Sequence, residues 1–209
     1  MSGLHPNQSL TRFCLLAAAA MPIIYIGTEV AAAPFYPGYS FSQQSESMLG
    51  THFSKHPGIF NVGLMLAGFA ALVGAFGLYR SFRARNHPLP SLVLGLSVAC
   101  TGVLCIRSGM FPMPDPRHNS WGFLHYVTFI MPFLMLVGLS KQSHSSGLRA
   151  YLAGCMTFLV ILGLLIGRGS QISWLARGTV QRLISLATFV PIGVVGFFFW
   201  RELHRESPD

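Results

Sequence analysis

Three charged residues lie at a similar depth inside long apolar stretches of the sequence. Glu29 lies near the end of the first stretch, Arg107 near the end of the third, and Arg182 near the start of the last. An ionised side chain in the hydrocarbon core of a membrane costs about 2.5–3.5 kcal/mol even on insertion scales. An ion pair between Glu29 and one of the arginines would offset that cost. We therefore predict that these three residues bind substrate, with the two guanidinium forks suited to a phosphate-bearing head group.

Histidine and carboxylate side chains form a second group of candidates. Asp115, His118 and His125 follow one another across a proline-rich segment and into the next apolar stretch. They predict a catalytic site of a hydrolase or transferase, with or without a metal. His52 and His56 would share one face if their segment is helical, and they are candidate ligands for a divalent metal such as zinc, which would activate water. No HExxH signature accompanies them.

A serine nucleophile is a further possibility. Ser42, Ser45 and Ser47 share a segment with His52 and His56, and a serine beside a base is a common nucleophile. The GxSxG elbow of the α/β-hydrolases is missing, and so are the glycine patterns of nucleotide-binding loops.

Polar side chains also recur at helical spacing inside the apolar stretches. In the last stretch, Gln181, Ser185 and Thr188 are spaced i, i+4 and i+7 and would share a face. Similar sets occur in two other stretches: Ser97, Thr101, Cys105 and Ser108 in the third, and Tyr25, Thr28 and Glu29 in the first. We predict a polar pocket between these three helices. Serine and threonine also join membrane helices to one another, so a purely structural role stays open.

The elements that position these residues are membrane-spanning helices. Of the 209 residues, 52% are apolar and only 10% are charged. The apolar residues gather in runs of about twenty, the length that crosses a hydrocarbon core of about 30 Å. These runs predict an all-α, polytopic integral membrane bundle of about six helices, forming one transmembrane domain over 1–209. The predicted helices cover about 13–33, 57–79, 89–110, 121–139, 148–166 and 179–200.

The basic residues indicate how the bundle is oriented. Arg12, Arg80, Arg83, Arg85, Lys141, Arg149, Arg201 and Arg205 lie at the two termini and in the second and fourth loops. The positive-inside rule places these segments in the cytoplasm, so we predict a multi-pass protein of the cell (inner) membrane with both termini cytoplasmic. The net charge of +8 is scattered among short loops, and we therefore expect no nucleic-acid partner.

Short motifs in the predicted outer loops resemble a known pattern. They are Ser-Met-Leu-Gly at 47–50, Pro-Gly-Ile-Phe-Asn at 57–61, Gly-Met-Phe-Pro at 109–112 with Asp115, Leu-His at 124–125, and Gly178 with Gln-Arg at 181–182. Together they resemble the bacterial six-helix membrane family labelled domain of unknown function 998. That family is in turn similar to the damage-regulated autophagy modulator and GPI-anchor remodelling membrane proteins. The resemblance implies six helices and hints at membrane lipids. Ser47, Asn61 and Gln181 lie in these motifs and complete the predicted substrate-binding residues.

Three functions are compatible with these patterns. The leading hypothesis is binding or processing of an amphipathic lipid or isoprenoid at an outward-facing polar pocket, which makes a membrane lipid the expected partner. The second is an intramembrane hydrolase or transferase that uses the histidine and aspartate site. The third is a non-catalytic structural or accessory subunit. The sequence leaves the oligomeric state, the substrate and any cofactor other than a divalent metal open.

Overall fold

A computed structural model describes residues 6–85, 88–118, 120, 124–139, 145–167 and 176–206. Within these ranges the chain is helical and contains no β-strand, which confirms the all-α class. The described residues form seven α-helices: α1 (Pro6–Ala32), α2 (Pro57–Arg85), α3 (Pro88–Met110), α4 (Leu124–Phe129), α5 (Met131–Gly138), α6 (Ser146–Gly167) and α7 (Arg177–Glu206). Short 3₁₀ helices cover Ala33–Phe35, Glu46–Gly50 and Pro116–His118.

Five of the described helices are long and apolar enough to cross a membrane. They cover Gln8–Phe35, Pro57–Arg85, Pro88–Met110, Ser146–Leu165 and Arg177–Arg205. The chain is therefore a polytopic membrane protein, whereas its extent as one domain over 1–209 stays a prediction.

The structure differs from the single helix that was predicted over 121–139. Its described part is divided at Ile130 into α4 and α5, and residues 121–123 lie outside the described residues. Pro132 stands in the first turn of α5. Proline has no amide hydrogen and crowds the preceding turn, so it favours the start of a new helix over continuation of the old one.

The first three helices pack closely through small residues. A side chain at Gly68 in α2 would bring its Cβ to 2.6 Å from the carbonyl oxygen of Gly102 in α3. At Gly74 the same Cβ would lie 2.7 Å from the Cα atom of Ala18 in α1. Only glycine allows these approaches, and small residues at helix interfaces let membrane helices pack by van der Waals contact. The small residues of α2 thus let it pack closely against both α1 and α3.

Large apolar side chains cover the outside of the bundle. Exposed examples on α1, α2, α3, α6 and α7 are Ile23, Phe69, Leu96, Leu164 and Phe197. In water such a surface would aggregate, whereas lipid tails solvate it at no cost.

The two ends of the bundle carry different chemistry. At one end the start of α1 meets the end of α7, where Arg12 donates a hydrogen bond of 2.6 Å to the carbonyl oxygen of Leu203. At the other end, the amide of Thr179 in the first turn of α7 donates to the carbonyl oxygen of Ser42 at 3.0 Å. This second end is called the loop end below, and it consists of residues 33–56, 111–118 and the first turn of α7. Most of the candidate functional residues lie in it or in the helix turns next to it.

Candidate functional site

Glu29 and Arg182 form an ion pair between α1 and α7. The Nε atom of Arg182 lies 2.9 Å from Oε2 of Glu29, and the two side chains are 16% and 7% exposed. The remaining guanidinium nitrogens donate to acceptors in the loop and in α7, namely the carbonyl oxygens of Phe41, Gln44 and Gly178 and the hydroxyl of Tyr39. Each guanidinium nitrogen therefore has a protein acceptor, and Arg182 fastens the segment 39–44 to both helices.

The segment 39–44 lies directly on the first turn of α7. A Cβ at Gly178 would come within 2.3–2.8 Å of three carbonyl oxygens of this segment, so only glycine permits the contact. Burial raises the pKa of Tyr39 to about 12, because the phenolate would lose its hydration. Its hydroxyl stays protonated and receives the hydrogen bond of Arg182.

A second buried carboxyl group, that of Glu46, lies close to the ion pair of Glu29 and Arg182. Glu46 was not among the residues predicted to form the site. Its Oε1 atom accepts hydrogen bonds from Nε2 of Gln181 at 3.0 Å and from Oγ of Ser185 at 3.3 Å. The hydroxyl of Ser185 in turn lies 3.3 Å from that of Tyr25. Glu46 is 7% exposed, and its Oε2 atom is buried without a hydrogen-bond partner among the described residues. The side chains of Glu29 and Tyr25 also interact with this carboxyl group, and a donor group on a ligand would add to these partners.

Ser47 and His118 meet although they come from different loops. Oγ of Ser47 lies 3.2 Å from Nε2 of His118, and Nδ1 of His118 lies 2.8 Å from the carbonyl oxygen of Phe111. A carbonyl oxygen only accepts hydrogen bonds, so the neutral imidazole carries its hydrogen on Nδ1. Nε2 is then the acceptor for the serine hydroxyl. The structure thus joins a residue predicted to bind substrate to one predicted to be catalytic.

A polar cavity lies at the loop end between α1, α2, α3 and α7. It has about 130 Å³ of space for water-sized molecules. Its polar lining comprises Tyr25, Glu46, Ser47, Thr101, Ser108, His118, Thr128 and Gln181, and its apolar lining includes Phe60, Leu64, Leu104 and Phe189. The pocket expected between the first, third and last spans is present, and α2 and α4 also contribute to its lining.

A second cavity opens between α1 and α7 and is mostly apolar. It holds about 160 Å³ and is lined by Ile26, Val30, Phe41, Leu186 and Val190, together with Glu29, Arg182 and Ser185. Val30 and Leu186 are 59% and 44% exposed, so this groove faces the lipid. We call it the lateral groove.

Tyr25 and Phe189 line both cavities. Their rings meet edge to face with centroids 4.7 Å apart. This one aromatic pair therefore forms part of the wall between the polar cavity and the lateral groove.

Arg107 and Asp115 both bond to Arg117, and Arg107 does not pair with Glu29. Arg107 donates to the carbonyl oxygen of Arg117 at 2.7 Å and to the hydroxyl of Ser120. Asp115 pairs with Arg117 at 2.6 Å, and hydrogen bonds from Arg117 lower the pKa of Asp115 to about 2. The Asp115 carboxylate is thus engaged with Arg117, while the His118 ring is oriented by a backbone carbonyl.

Asn61 fixes the 3₁₀ helix that carries Glu46 and Ser47. Its Nδ2 atom donates to the carbonyl oxygen of Gly50 at 3.0 Å. A Cβ at Gly50 would lie 2.1 Å from Oδ1 of Asn61, so a larger residue there would force the Asn61 side chain to move. Asn61 therefore positions the 3₁₀ helix that carries Glu46 and Ser47. Its contact with substrate stays a prediction.

His52 and His56 have different neighbours in the described part of the chain. The segment 51–56 consists of turns and bends, so His52 and His56 do not share a helical face. The ring of His52 lies against Phe53 and that of His56 against Phe35. The side chain of His125 lies outside the described part of the structure. Within that part no group of three His, Cys, Asp or Glu side chains could hold a metal ion, and a metal cofactor stays a prediction.

Comparison with known proteins identifies one family. The family described as protein of unknown function (DUF998) matches residues 18–197, a range that includes every residue of the polar cavity and the lateral groove. No curated protein and no solved structure matches the chain.

Proposed function

We propose that this chain, which belongs to the DUF998 family, binds an amphipathic membrane lipid at its loop end. The lipid's polar group would occupy the polar cavity, and its hydrocarbon chain would leave through the lateral groove. The observation that carries the proposal is the wall shared by the two cavities, formed by Tyr25 and Phe189. Rotation of one aromatic ring would join a polar chamber to an apolar exit, which is the division that an amphipathic ligand needs.

The lining of the cavity favours a head group rich in hydrogen-bond donors. Among the described residues no lysine or arginine lines the polar cavity, whereas the buried carboxyl group of Glu46 does. Arg182 already donates to five acceptors of the protein. A hydroxyl or amino group would complete the hydrogen bonding of Glu46, whereas a phosphate would have to displace the bonds of Arg182. We therefore favour a hydroxyl-bearing or amino-bearing lipid over the phosphate ligand first expected.

We also propose that the loop end faces outward from the cell membrane. The opposite end carries Arg80, Arg83, Arg85, Arg201 and Arg205, and the positive-inside rule assigns that end to the cytoplasm. A cysteine at Ser42 should then react with an impermeant maleimide on intact cells. A cysteine at Ala84 should react only after the membrane is opened, and the reverse pattern would invert the orientation.

Lipid analysis of the purified protein tests the binding proposal. Leu186→Trp should fill the lateral groove, while Leu164→Trp makes the same change on α6, where Leu164 is 62% exposed and does not line the groove. In mass spectrometry of co-purifying lipids, one lipid class should be enriched over the bulk membrane in the wild type and in Leu164→Trp. It should fall at least several-fold in Leu186→Trp. Equal lipid composition in all three proteins and in the bulk membrane would overturn the proposal and favour an accessory role.

A further inference from the structure

We infer that Ser47 and His118 are a nucleophile and its general base, and that they cleave a carboxylic ester of the bound lipid. The inference rests on the lipid-binding function proposed above and adds a reaction to it. It is carried by the 3.2 Å contact between the serine Oγ and the histidine Nε2, at the surface of the polar cavity.

The geometry contains the three parts that a serine nucleophile needs. The hydroxyl of Ser47 faces the free lone pair of an imidazole, and the carbonyl oxygen of Phe111 holds the opposite ring nitrogen at 2.8 Å. In a catalytic triad the carboxylate is the third group, and it fixes the tautomer and the orientation of the histidine ring. Here a backbone carbonyl takes that place, which orients the ring without a negative charge behind it.

The carbonyl of Phe111 is itself held by a well-bonded loop. The amide of Phe111 donates to the carbonyl oxygen of Arg107 at 2.9 Å, and the amide of His118 donates to that of Asp115 at 2.9 Å. The ion pair between Asp115 and Arg117 closes the same turn. Arg107 and Asp115 are therefore positioning residues for His118.

The reaction balances with water as the second substrate. Oγ of Ser47 attacks the ester carbonyl carbon while its proton moves to Nε2 of His118. The bond from that carbon to the alcohol oxygen then breaks, and the proton passes from His118 to the departing alkoxide. Water attacks the resulting acyl-serine, giving its proton to His118, and the serine oxygen leaves and takes that proton back. The net reaction converts an ester and water into a carboxylic acid and an alcohol.

The neighbours of the pair define the substrate class. Glu46 precedes Ser47 in the chain, and its buried carboxyl group in the cavity would accept a hydrogen bond from a second hydroxyl on the alcohol part of the ester. Ser108 lines the same cavity, and its hydroxyl is a donor for the oxyanion that develops during attack. An acyl ester of a polyol, such as an acylglycerol, has the hydroxyl groups and the single hydrocarbon chain that this site would hold.

Labelling and hydrolysis of defined probes test the inference. The wild-type protein in detergent would be incubated with an alkyl fluorophosphonate, which reacts with activated serines, and with monoacylglycerol. The fluorophosphonate should modify Ser47, located by peptide mass spectrometry, and fatty acid should be released. Ser47→Ala and His118→Gln should each reduce hydrolysis by a factor of at least about 100, the lower range for loss of acid–base catalysis. Ser45→Ala is the matched control, because Ser45 makes no side-chain capping bond to the same 3₁₀ helix, and it should retain activity within twofold.

The outcomes separate this inference from the binding proposal. Wild-type protein that retains a lipid class but neither reacts with the fluorophosphonate nor releases fatty acid would overturn the ester cleavage and leave lipid binding intact. Hydrolysis that persists in folded Ser47→Ala would also overturn it. Hydrolysis that depends on Ser47 and His118 in a protein that retains no lipid class would support the pair and overturn the binding proposal. Where Ser47→Ala does not fold, His118→Gln with fluorophosphonate labelling of Ser47 as the readout decides the question.

Discussion

Arg182 in α7 and Glu29 in α1 form an ion pair with 2.9 Å between Nε and Oε2, and the same guanidinium holds the segment 39–44. Arg182→Ala removes both functions, whereas Glu29→Gln keeps a side chain that can accept a hydrogen bond. We predict that Arg182→Ala lowers the free energy of unfolding by about 3–5 kcal/mol, the usual range for breaking a buried pair, and that Glu29→Gln costs less.

Thermal unfolding in detergent measures this difference. The control is Arg85→Ala, which breaks the more exposed pair between Arg85 and Glu202 at the other end of the bundle and should cost less. The double variant of Glu29 and Arg182 should cost less than the sum of the two single changes, because contacting residues are not additive. Strict additivity would contradict the pairing.

Gly178 provides a test of how tightly the loop lies on α7. In Gly178→Ala the new methyl group would lie 2.3 Å from the carbonyl oxygen of Gln44, so the segment 39–44 should move away and the protein should melt at a lower temperature. Gly154→Ala in α6 places the same methyl group in open space. It should leave the melting temperature unchanged or raise it, because alanine favours a helix over glycine by about 1 kcal/mol. Equal effects of the two changes would contradict the packing.

The exposed pair of Asp115 and Arg117 gives a prediction for pH. The folded-state pKa of Asp115 is lowered to about 2, so any stability from this carboxylate is present above its ordinary pKa and is lost only as the pH falls towards 2. Asp115→Asn should therefore leave the pH dependence of unfolding unchanged between pH 5 and pH 8. Its ester hydrolysis should fall by less than about tenfold, because the carbonyl of Phe111 orients His118. A loss as large as that of His118→Gln would give Asp115 the direct role predicted from the sequence.

The aromatic wall between the two cavities can be opened by mutation. Phe189→Ala removes one ring of the pair with Tyr25 and should join the polar cavity to the lateral groove. Cys105 lines the polar cavity and is buried. In a variant that keeps Cys105 and lacks the other three cysteines, it should react slowly with a lipid-soluble maleimide. Phe189→Ala should increase that rate at least several-fold, while Phe158→Ala on α6 should not. Equal rates in the two variants would place the wall elsewhere.

The sequence predicted the spans well because lipid-facing helices must be apolar over their whole length, and a run of that kind is visible without knowledge of the fold. The exception is the fourth span, where Pro132 divides the described segment at Ile130. The pairing of Glu29 with one arginine was also predictable, because a carboxylate in an apolar run needs a partner. Depth alone did not distinguish Arg182 from Arg107, which bonds to Arg117 and Ser120 instead.

The centre of the site could not be predicted because it depends on how two loops fold back into the bundle. Glu46 lies outside every apolar run, so its burial beside Gln181 follows only from the return of the first loop. Ser47 and His118 are 71 positions apart, and no local spacing connects them. Asp115 and His118 are neighbours in sequence, yet the nearer Arg117 takes the carboxylate.

The central claim is that a lipid occupies the lateral groove with its polar group in the cavity, and photo-crosslinking in membranes tests it most directly. Cells would be fed a fatty acid carrying a photoreactive diazirine and an alkyne, so that membrane lipids acquire the label, and crosslinked peptides would be located by mass spectrometry after irradiation. We predict that label concentrates on the peptides of α1 and α7 that contain Val30 and Leu186, and that Leu186→Trp abolishes this enrichment while Leu164→Trp preserves it. Label spread evenly over the exposed apolar residues of α1, α2, α6 and α7 would contradict the account.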